Sequence, residues 1–244
     1  MRNAYSVSRM GVGREVNQDS VLCEPEQVGY FPNLYIVADG MGGYRGGDVA
    51  SRFCVSHVKE RLAAMPEGAS PVTAIRDAIG ETNRMIRQMA AEDETRTGMG
   101  TTIVLATRFG DVLYVANVGD SRLYLKHQGR IRQITEDHSL VEAMVQNGEL
   151  SRENARFHPN KNIITRALGA TPEVEIDFFE VPVTEGDFVL MCSDGLSNML
   201  DDQTLEAQIG SGEELEAICE RLADMAKDAG GKDDISLVLV HIGA

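Results

Sequence analysis

Long apolar runs and a leader segment are missing from this sequence. No run approaches the roughly 20 apolar residues that span a bilayer. The first residues, Met1 to Ser6, lack the apolar core of a secretory signal peptide. Both absences predict a cytoplasmic protein with no membrane span.

Positive charge is also scarce. The 244 residues contain 23 Lys and Arg against 38 Asp and Glu, so the formal net charge is −15. Such a surface repels nucleic acid backbones and anionic lipids, which argues against a nucleic acid partner. The excess carboxylates either keep the protein soluble or hold cations, and their positions decide between these two interpretations.

Several sequence motifs of enzymes and metal sites are absent. The four cysteines form no C-x-x-C pair, which favours buried free thiols over disulfides or a zinc knuckle. There is no P-loop motif, no G-x-S-x-G elbow and no EF-hand loop. The glycine-rich stretch 40–47 fails the dinucleotide fingerprint, because the third glycine would fall on Arg45. These absences argue against nucleotide-binding, serine-nucleophile and calcium-binding functions.

Hydrophobic periodicity predicts a strand-rich chain with three long helices. Apolar, β-branched runs predict strands at 34–38, 102–107, 112–118, 122–126, 131–134, 174–181, 188–192 and 235–242. Helical spacing predicts helices over 49–62, 72–89 and 213–229. Helices clustered between hairpins favour an α+β sandwich of antiparallel sheets covered by helices.

The stretch 137–170 does not fit the sheets. Its short helical pieces, near 139–147 and after Ser151, and its His158-Pro159 pair predict an excursion or lid. No internal repeat and no linker rich in Pro, Gly or Ser divides the chain, so we expect one domain over 1–244.

Aspartates stand repeatedly at the ends of predicted strands. Asp39, Asp120 and Asp194 each follow an apolar run, and the pair Asp233-Asp234 precedes another. One such residue is most often a turn residue or a helix cap. Four of them, with Asn17-Gln18-Asp19 near the start, would crowd like charges that only cations neutralise.

The oxygen-rich set favours Mg²⁺ or Mn²⁺, since the five histidines show no spacing typical of zinc ligands. Two adjacent divalent ions activate a bridging water and neutralise a phosphoryl group, which predicts phosphate ester hydrolysis. Arg14 is a candidate to grip two phosphate oxygens, although a surface salt bridge is an equal alternative. The carbonyl of Gly40 is a candidate metal ligand.

The same residues form a recognisable set of motifs. They are Arg14-x-x-Asn17-Gln18-Asp19, Asp39-Gly40-Met41-Gly42-Gly43, Thr97-Gly98-Met99-Gly100-Thr101-Thr102, Val118-Gly119-Asp120-Ser121-Arg122, Asp137-His138-Ser139-Leu140, Thr165-Arg166-Ala167-Leu168-Gly169, Ser193-Asp194-Gly195-Leu196 and Asp233-Asp234-Ile235-Ser236. In this order, the sequence resembles the compact bacterial type of the metal-dependent Ser/Thr protein phosphatases of the PPM (PP2C) family. The resemblance runs nearly end to end.

The resemblance implies a four-layer α-β-β-α sandwich with a helical flap at about 137–170. It implies that Asp39 bridges two metals, that the Gly40 carbonyl binds the second, and that Asp194 and Asp233 complete the set. Asp120 would hold a third, weaker metal together with Asp194. Asp19 would orient metal-bound water, and Arg14 would bind the substrate phosphate.

The activity implied by the resemblance is hydrolysis of phosphoserine and phosphothreonine in proteins by a metal-bridging hydroxide. Such a hydrolase of bacterial signal transduction would be a monomer that opposes a Ser/Thr kinase. Two alternatives from other classes are a catalytically silent adaptor that binds phosphoproteins and a hydrolase of small phosphate esters.

The sequence departs from the family pattern at two places. Met41 stands where many eukaryotic relatives have a histidine that serves as general acid, so either a metal-bound water or, less favoured, His138 would protonate the leaving group. Asp233-Asp234 replaces the usual Asp-Asn pair. The resemblance assigns Asp233 as the ligand, with Asp234 as the alternative.

Overall fold

The computed structural model describes residues 3–210 and 212–243, and only the backbone of residues 43–45. The strands are β1 (Ala4–Arg9), β2 (Asp19–Glu24), β3 (Leu34–Met41), β4 (Gly100–Thr101), β5 (Ile103–Phe109), β6 (Val112–Val118), β7 (Arg122–His127), β8 (Arg130–Gln133), β9 (Asp177–Pro182), β10 (Phe188–Cys192) and β11 (Ile235–His241). The α-helices are α1 (Gly43–Ala63), α2 (Pro71–Glu92), α3 (Leu140–Gln146), α4 (Arg152–Ala155), α5 (Asp194–Ser197), α6 (Asp202–Gln208) and α7 (Leu215–Asp228).

The strands form two antiparallel sheets. One sheet has the order β1-β11-β10-β7-β8. The other has the order β2-β3-β5-β6-β9, and the short strand β4 pairs with the end of β3. Some sequential strands are joined within one sheet, whereas β1–β2, β6–β7 and β9–β10 pass from one sheet to the other through loops.

Three apolar clusters separate four layers. The first lies between α1, α2 and the sheet of β3, β5 and β6. The second lies between the other sheet and the C-terminal helices, including α7. The third is formed by side chains of both sheets and joins them face to face. The predicted α-β-β-α sandwich is confirmed.

Alternation along β3 shows how the sequence produces these layers. Leu34 and Ile36 are fully buried in the cluster under α1 and α2, whereas Tyr35 and Val37 are buried in the cluster between the sheets. Successive side chains of a strand point to opposite faces, so a strand that is covered on both faces is apolar throughout.

Most predicted elements are observed with small changes at their ends. The strand predicted over 174–181 begins only at Asp177, because Val174 and Ile176 pack against the cluster under the helices before the strand begins to pair. Strands β1 and β2 were not predicted from the periodicity, and neither were α5 and α6.

The excursion over 137–170 contains α3 and α4, which begin after the predicted caps. Ser139 and Ser151 each accept a hydrogen bond from a backbone N–H in the first turn of their helix, as expected for N-cap residues. At its end, Leu168 donates its N–H to the Thr101 carbonyl and returns the chain to β4. The excursion is therefore fastened beside the strand ends that carry the aspartates.

No helix within residues 3–210 and 212–243 is both long and apolar enough to cross a membrane.

Candidate active site

A cavity of about 260 Å³ lies where several strands begin or end. Asp39 is near the end of β3, and Asp120 is between β6 and β7. Asp194 is the second residue after β10, and Asp233 is the second residue before β11. All four carboxylates line the cavity, as do Arg14 and Gly40. The structure thus brings together the strand-end aspartates that the sequence singles out.

Sheet register explains this convergence. Cys192 at the end of β10 is paired with Arg122 at the start of β7 and with Leu237 near the start of β11. In the other sheet, Asp19 pairs directly with Asp39. Antiparallel neighbours alternate in direction, so the end of one strand lies beside the beginning of the next.

Thr102 fixes Asp39 at the edge of the cavity. The Asp39 N–H donates to Thr102 Oγ1 at 2.9 Å, and the Thr102 N–H donates to the Asp39 carbonyl at 2.9 Å. The Thr102 hydroxyl also lies 2.7 Å from the hydroxyl of Ser121, the residue after Asp120. This network sets the backbones that carry Asp39 and Asp120 relative to each other.

The carboxylates of the site are forced to share a poorly solvated space. Burial, followed by repulsion from Asp19 and Asp194, raises the pKa of Asp39 well above its usual value. Burial raises the pKa of Asp120 in the same direction, with Asp194 as the next cause. Burial and the Asp233 charge raise the pKa of Asp194 to about 6. Protons or cations are needed to relieve this repulsion.

The residues present fit hard divalent cations. Asp194 Oδ1 and Asp19 Oδ1 are buried without a hydrogen-bond partner in the described chain, so each has an unused acceptor. In residues 3–210 and 212–243, no three His, Cys, Asp or Glu side chains enclose a ready-made metal site. Mg²⁺ commonly keeps several of its waters and binds only one or two carboxylates. A site with a few available carboxylate oxygens, rather than a complete cage of protein ligands, therefore suits this ion.

Asp19 pairs with Asp39 across β2 and β3, is 8% exposed, and is not among the described residues that line the cavity. Its Oδ2 accepts a hydrogen bond from the Ser193 hydroxyl at 2.7 Å. Burial, the largest cause, raises the pKa of Asp19 well above its usual value. The hydrogen bonds from Ser193 and Ser236 act in the opposite direction and lower this pKa. A carboxylate held in this way has a fixed orientation and a free oxygen.

Arg14 lines the cavity and contacts its acidic wall. Its Nη2 is 2.5 Å from Asp233 Oδ1, and its Nη1 donates to Gln18 Oε1 at 3.2 Å. A guanidinium in this place can bind two oxygens of a phosphate that enters the cavity.

Asp233 and Asp234 point to different surroundings. The Asp233 side chain is 35% exposed and lines the cavity. The Asp234 side chain is 1% exposed, and its two oxygens accept the N–H groups of Gly11 at 2.9 Å and Gln18 at 2.8 Å. Asp234 therefore ties two loops together, while Asp233 presents its carboxylate to the site.

Gly40 is required by close approach of the backbone. A Cβ at this residue would lie 2.0 Å from the Gly47 carbonyl oxygen and 2.6 Å from that of Gln18. No larger residue can bring the β3 end this close to the start of α1.

Further residues of the site were not given roles from the sequence. Among them, Gln18, Thr102, Asn162 and Ile164 line the cavity. Gln18 and Thr102 stand within motifs that the sequence analysis noted. Asn162 and Ile164 lie in the excursion and reach the cavity only through the tertiary fold, so no local signal marks them.

His138 is not among the described residues that line the cavity, and it is 7% exposed. Its Nδ1 accepts the Gly119 N–H at 3.0 Å, and its Nε2 lies 3.1 Å from Asp177 Oδ2. Both ring nitrogens therefore have partners in the fold, which argues against His138 as the general acid.

The model of the protein phosphatase 2C family matches residues 12–239. The chain belongs to this family. The resemblance stated from the sequence motifs is thereby confirmed, and the match spans all the strand-end aspartates described above.

Relatives in bacteria support the same assignment. The chain is 42% identical over 211 residues to a protein named serine/threonine phosphatase Stp from Listeria welshimeri, covering 85% of this chain and 84% of the relative. The crystal structure of the serine/threonine phosphatase Stp1 from Staphylococcus aureus is similar, with a TM-score of 0.92, 33% identity, and coverage of 100% of this chain and 96% of the other. The catalytic domain of the phosphatase PstP, solved in complex with two manganese ions, matches with a TM-score of 0.86 and 30% identity over 99% of this chain and 98% of its own.

Proposed function

We propose that this protein hydrolyses phosphoserine and phosphothreonine in other proteins and that it depends on divalent metal ions. The observation that carries the proposal is the convergence of Asp39, Asp120, Asp194 and Asp233 with Arg14 on one cavity. Family membership and relatives named as Ser/Thr phosphatases give the substrate class. They do not favour a silent adaptor or a small-ester hydrolase.

The proposed metal ligands are Asp39, the Gly40 carbonyl, Asp194 and Asp233. A third, weaker ion would use Asp120 with Asp194. The ions would be Mn²⁺ or Mg²⁺, in keeping with the oxygen donors and with the two manganese ions of the solved PstP domain. When bound, such ions polarise the phosphoryl group and lower the pKa of water.

The chain's own side chains bind and orient the reactants. Arg14 holds two phosphate oxygens and keeps the phosphoryl group against the acidic wall. Asp19, fixed by Ser193, accepts a hydrogen bond from the attacking water and orients it. Met41 carries no proton to donate, so the leaving alkoxide takes its proton from water in the cavity.

The test is phosphate release from a phosphothreonine peptide with Mn²⁺, with a chelator, and with the Asp194→Ala protein. Asp111→Ala is a matched control, because Asp111 is an exposed aspartate just before β6, at the opposite end of that strand from Asp120. We expect release that requires both metal and Asp194 and that survives Asp111→Ala. No release by folded, metal-loaded wild-type protein would refute the proposal and favour the adaptor.

We also propose an opposing kinase, a cytoplasmic location, a monomeric state and a single domain. A Ser/Thr kinase would phosphorylate the substrates of this phosphatase, and phosphoproteomes with and without the phosphatase would identify those substrates.

The four cysteines are unpaired, which suits the reducing cytoplasm. Light scattering tests the proposed monomer, and a single cooperative unfolding transition tests the proposed single domain over 1–244 with its flap at 137–170.

A further inference from the structure

The loop 119–121 carries Asp120 from one sheet to the other. It follows β6 and precedes β7, which belong to different sheets. Asp120 is 8% exposed and lines both the catalytic cavity and a neighbouring cavity of about 550 Å³. The loop residues pair with neither sheet, so no ladder of strand hydrogen bonds fixes them. Other contacts of this loop must therefore set the position of the Asp120 carboxylate.

His138 bonds to both backbone polar groups of Gly119, the residue before Asp120. The Gly119 N–H donates to His138 Nδ1 at 3.0 Å, and the His138 N–H donates to the Gly119 carbonyl at 3.0 Å. A backbone N–H can only donate, so Nδ1 carries a lone pair and the proton of the neutral ring is on Nε2. Nε2 lies 3.1 Å from Asp177 Oδ2, which accepts a hydrogen bond from it. The ring thus joins the loop to the first residue of β9.

Asp137 holds the other end of the same loop. Arg122 Nε donates to Asp137 Oδ1 at 2.9 Å, and Arg122 Nη2 donates to Asp137 Oδ2 at 2.6 Å. A bidentate pair of this kind fixes both distance and orientation. Two consecutive residues at the start of the excursion, Asp137 and His138, therefore fasten the loop one residue before and two residues after Asp120.

Gly119 is held closely between two residues. A Cβ at Gly119 would lie 2.5 Å from Thr102 Cγ2, so its backbone packs directly on that side chain, and its φ of +107° favours glycine. On the other side it is bonded to His138. Thr102 also bonds to the Asp39 backbone. The hydrogen bonds of His138 therefore keep Asp120 in a fixed position relative to Asp39.

We propose that His138 is a positioning residue for Asp120. By accepting the Gly119 N–H, it holds the Asp120 carboxylate where Asp120 and Asp194 together bind a weakly held divalent ion. The inference rests on the proposed function, which assigns a third ion to these two carboxylates. It gives His138 a role in metal binding, although its ring contacts neither the metal ligands nor the phosphate.

The test separates the two ring contacts with His138→Asn and His138→Gln. Asparagine Oδ1 is one bond from Cγ, as Nδ1 is in histidine, so it can still accept the Gly119 N–H. The glutamine amide lies one bond farther out, where it can donate to Asp177 but places no acceptor beside Gly119. His127→Gln is a matched control, because His127 Nδ1 lies 2.8 Å from Asp187 Oδ1 in a second histidine–aspartate pair at the end of β7.

Mn²⁺ titration by calorimetry counts the bound ions, and hydrogen exchange of the Gly119 amide in chelator reports on the loop without metal. We expect His138→Gln to weaken the weakest Mn²⁺ step by about 10–100-fold, as for other residues that orient a ligand, and to leave the two tighter steps unchanged. Exchange of the Gly119 amide should become faster. His138→Asn and His127→Gln should match the wild type in both measurements. Each His138 variant should lower Tm, because each loses one ring contact.

Equal weakening in His138→Asn and His138→Gln would indicate a general structural role and would overturn the inference. Unchanged Mn²⁺ binding in His138→Gln, or only two ions bound by the wild type, would also overturn it. If His138→Gln does not fold, His138→Asn decides, because loss of the third ion from that variant contradicts the inference. Phosphate release from a phosphothreonine peptide by the wild type reports the proposed function separately, and none of these outcomes affects it.

Discussion

The paired aspartates before β11 offer the sharpest test of the site, through Asp233→Asn and Asp234→Asn. Asparagine at 234 has one carbonyl oxygen in place of two acceptors, so one of the N–H groups of Gly11 and Gln18 would lose its partner. A buried, unsatisfied donor costs about 1–3 kcal/mol, partly offset because the repulsion with Asp19 disappears. We expect a loss of about 2 kcal/mol, which lowers Tm by roughly 4–8 °C in a chain of this size.

Asparagine at 233 should act on metal binding instead. Its side chain is partly exposed, and the Asp234 N–H, which donates to Asp233 Oδ1 at 2.8 Å, can still bond to an amide oxygen. We expect a Tm in chelator within about 2 °C of wild type, since this change leaves no buried group unsatisfied. The affinity for Mn²⁺ should fall at least about tenfold, the lower limit for groups that merely support a ligand.

Thermal melts in chelator and Mn²⁺ titrations by calorimetry measure both effects on the same two proteins. The wild type provides the reference for each. A larger loss of Mn²⁺ affinity in Asp234→Asn than in Asp233→Asn would refute the reasoning and would make Asp234 the ligand. Equal Tm values would show that the hydrogen bonds across the two loops contribute little.

Four further predictions concern Arg14, Asp194, Cys23 and His138. Arg14→Lys should lower kcat/KM for a phosphopeptide by about 10–100-fold, because lysine cannot bind two phosphate oxygens in parallel, and an unchanged value would contradict the assigned role. The raised pKa of Asp194, about 6, means that the folded chain binds more protons than the unfolded chain between about pH 4 and 6. Tm in chelator should therefore fall as the pH rises through this window, and Asp194→Asn should reduce that slope. Burial raises the pKa of Cys23 to about 11, so iodoacetamide at pH 8 should modify it only after unfolding, whereas rapid labelling of native protein would refute this. His138→Asn should lower Tm without removing a limb of the pH profile of kcat, and loss of a limb would restore His138 as the general acid.

The fold could be predicted where local periodicity and burial agree. Helices α1, α2 and α7 each place an apolar stripe against a sheet, so their spacing is clear in the sequence. Strands β1 and β2 are different because polar residues interrupt them, Ser6 and Ser8 in β1 and Ser20 in β2, so neither has the continuous apolar run that marks a central strand.

The acidic residues of the candidate site could be predicted because they stand at the ends of predicted strands. An aspartate at the end of an apolar strand is visible in the sequence, and antiparallel pairing brings several such ends together. The different surroundings of Asp233 and Asp234 could not be predicted from local sequence. They depend on backbone N–H groups that bind Asp234 and lie 223 and 216 residues earlier in the chain. Sequence patterns therefore predict which chemical groups the site contains, whereas the contacts between distant loops determine which of them face the cavity.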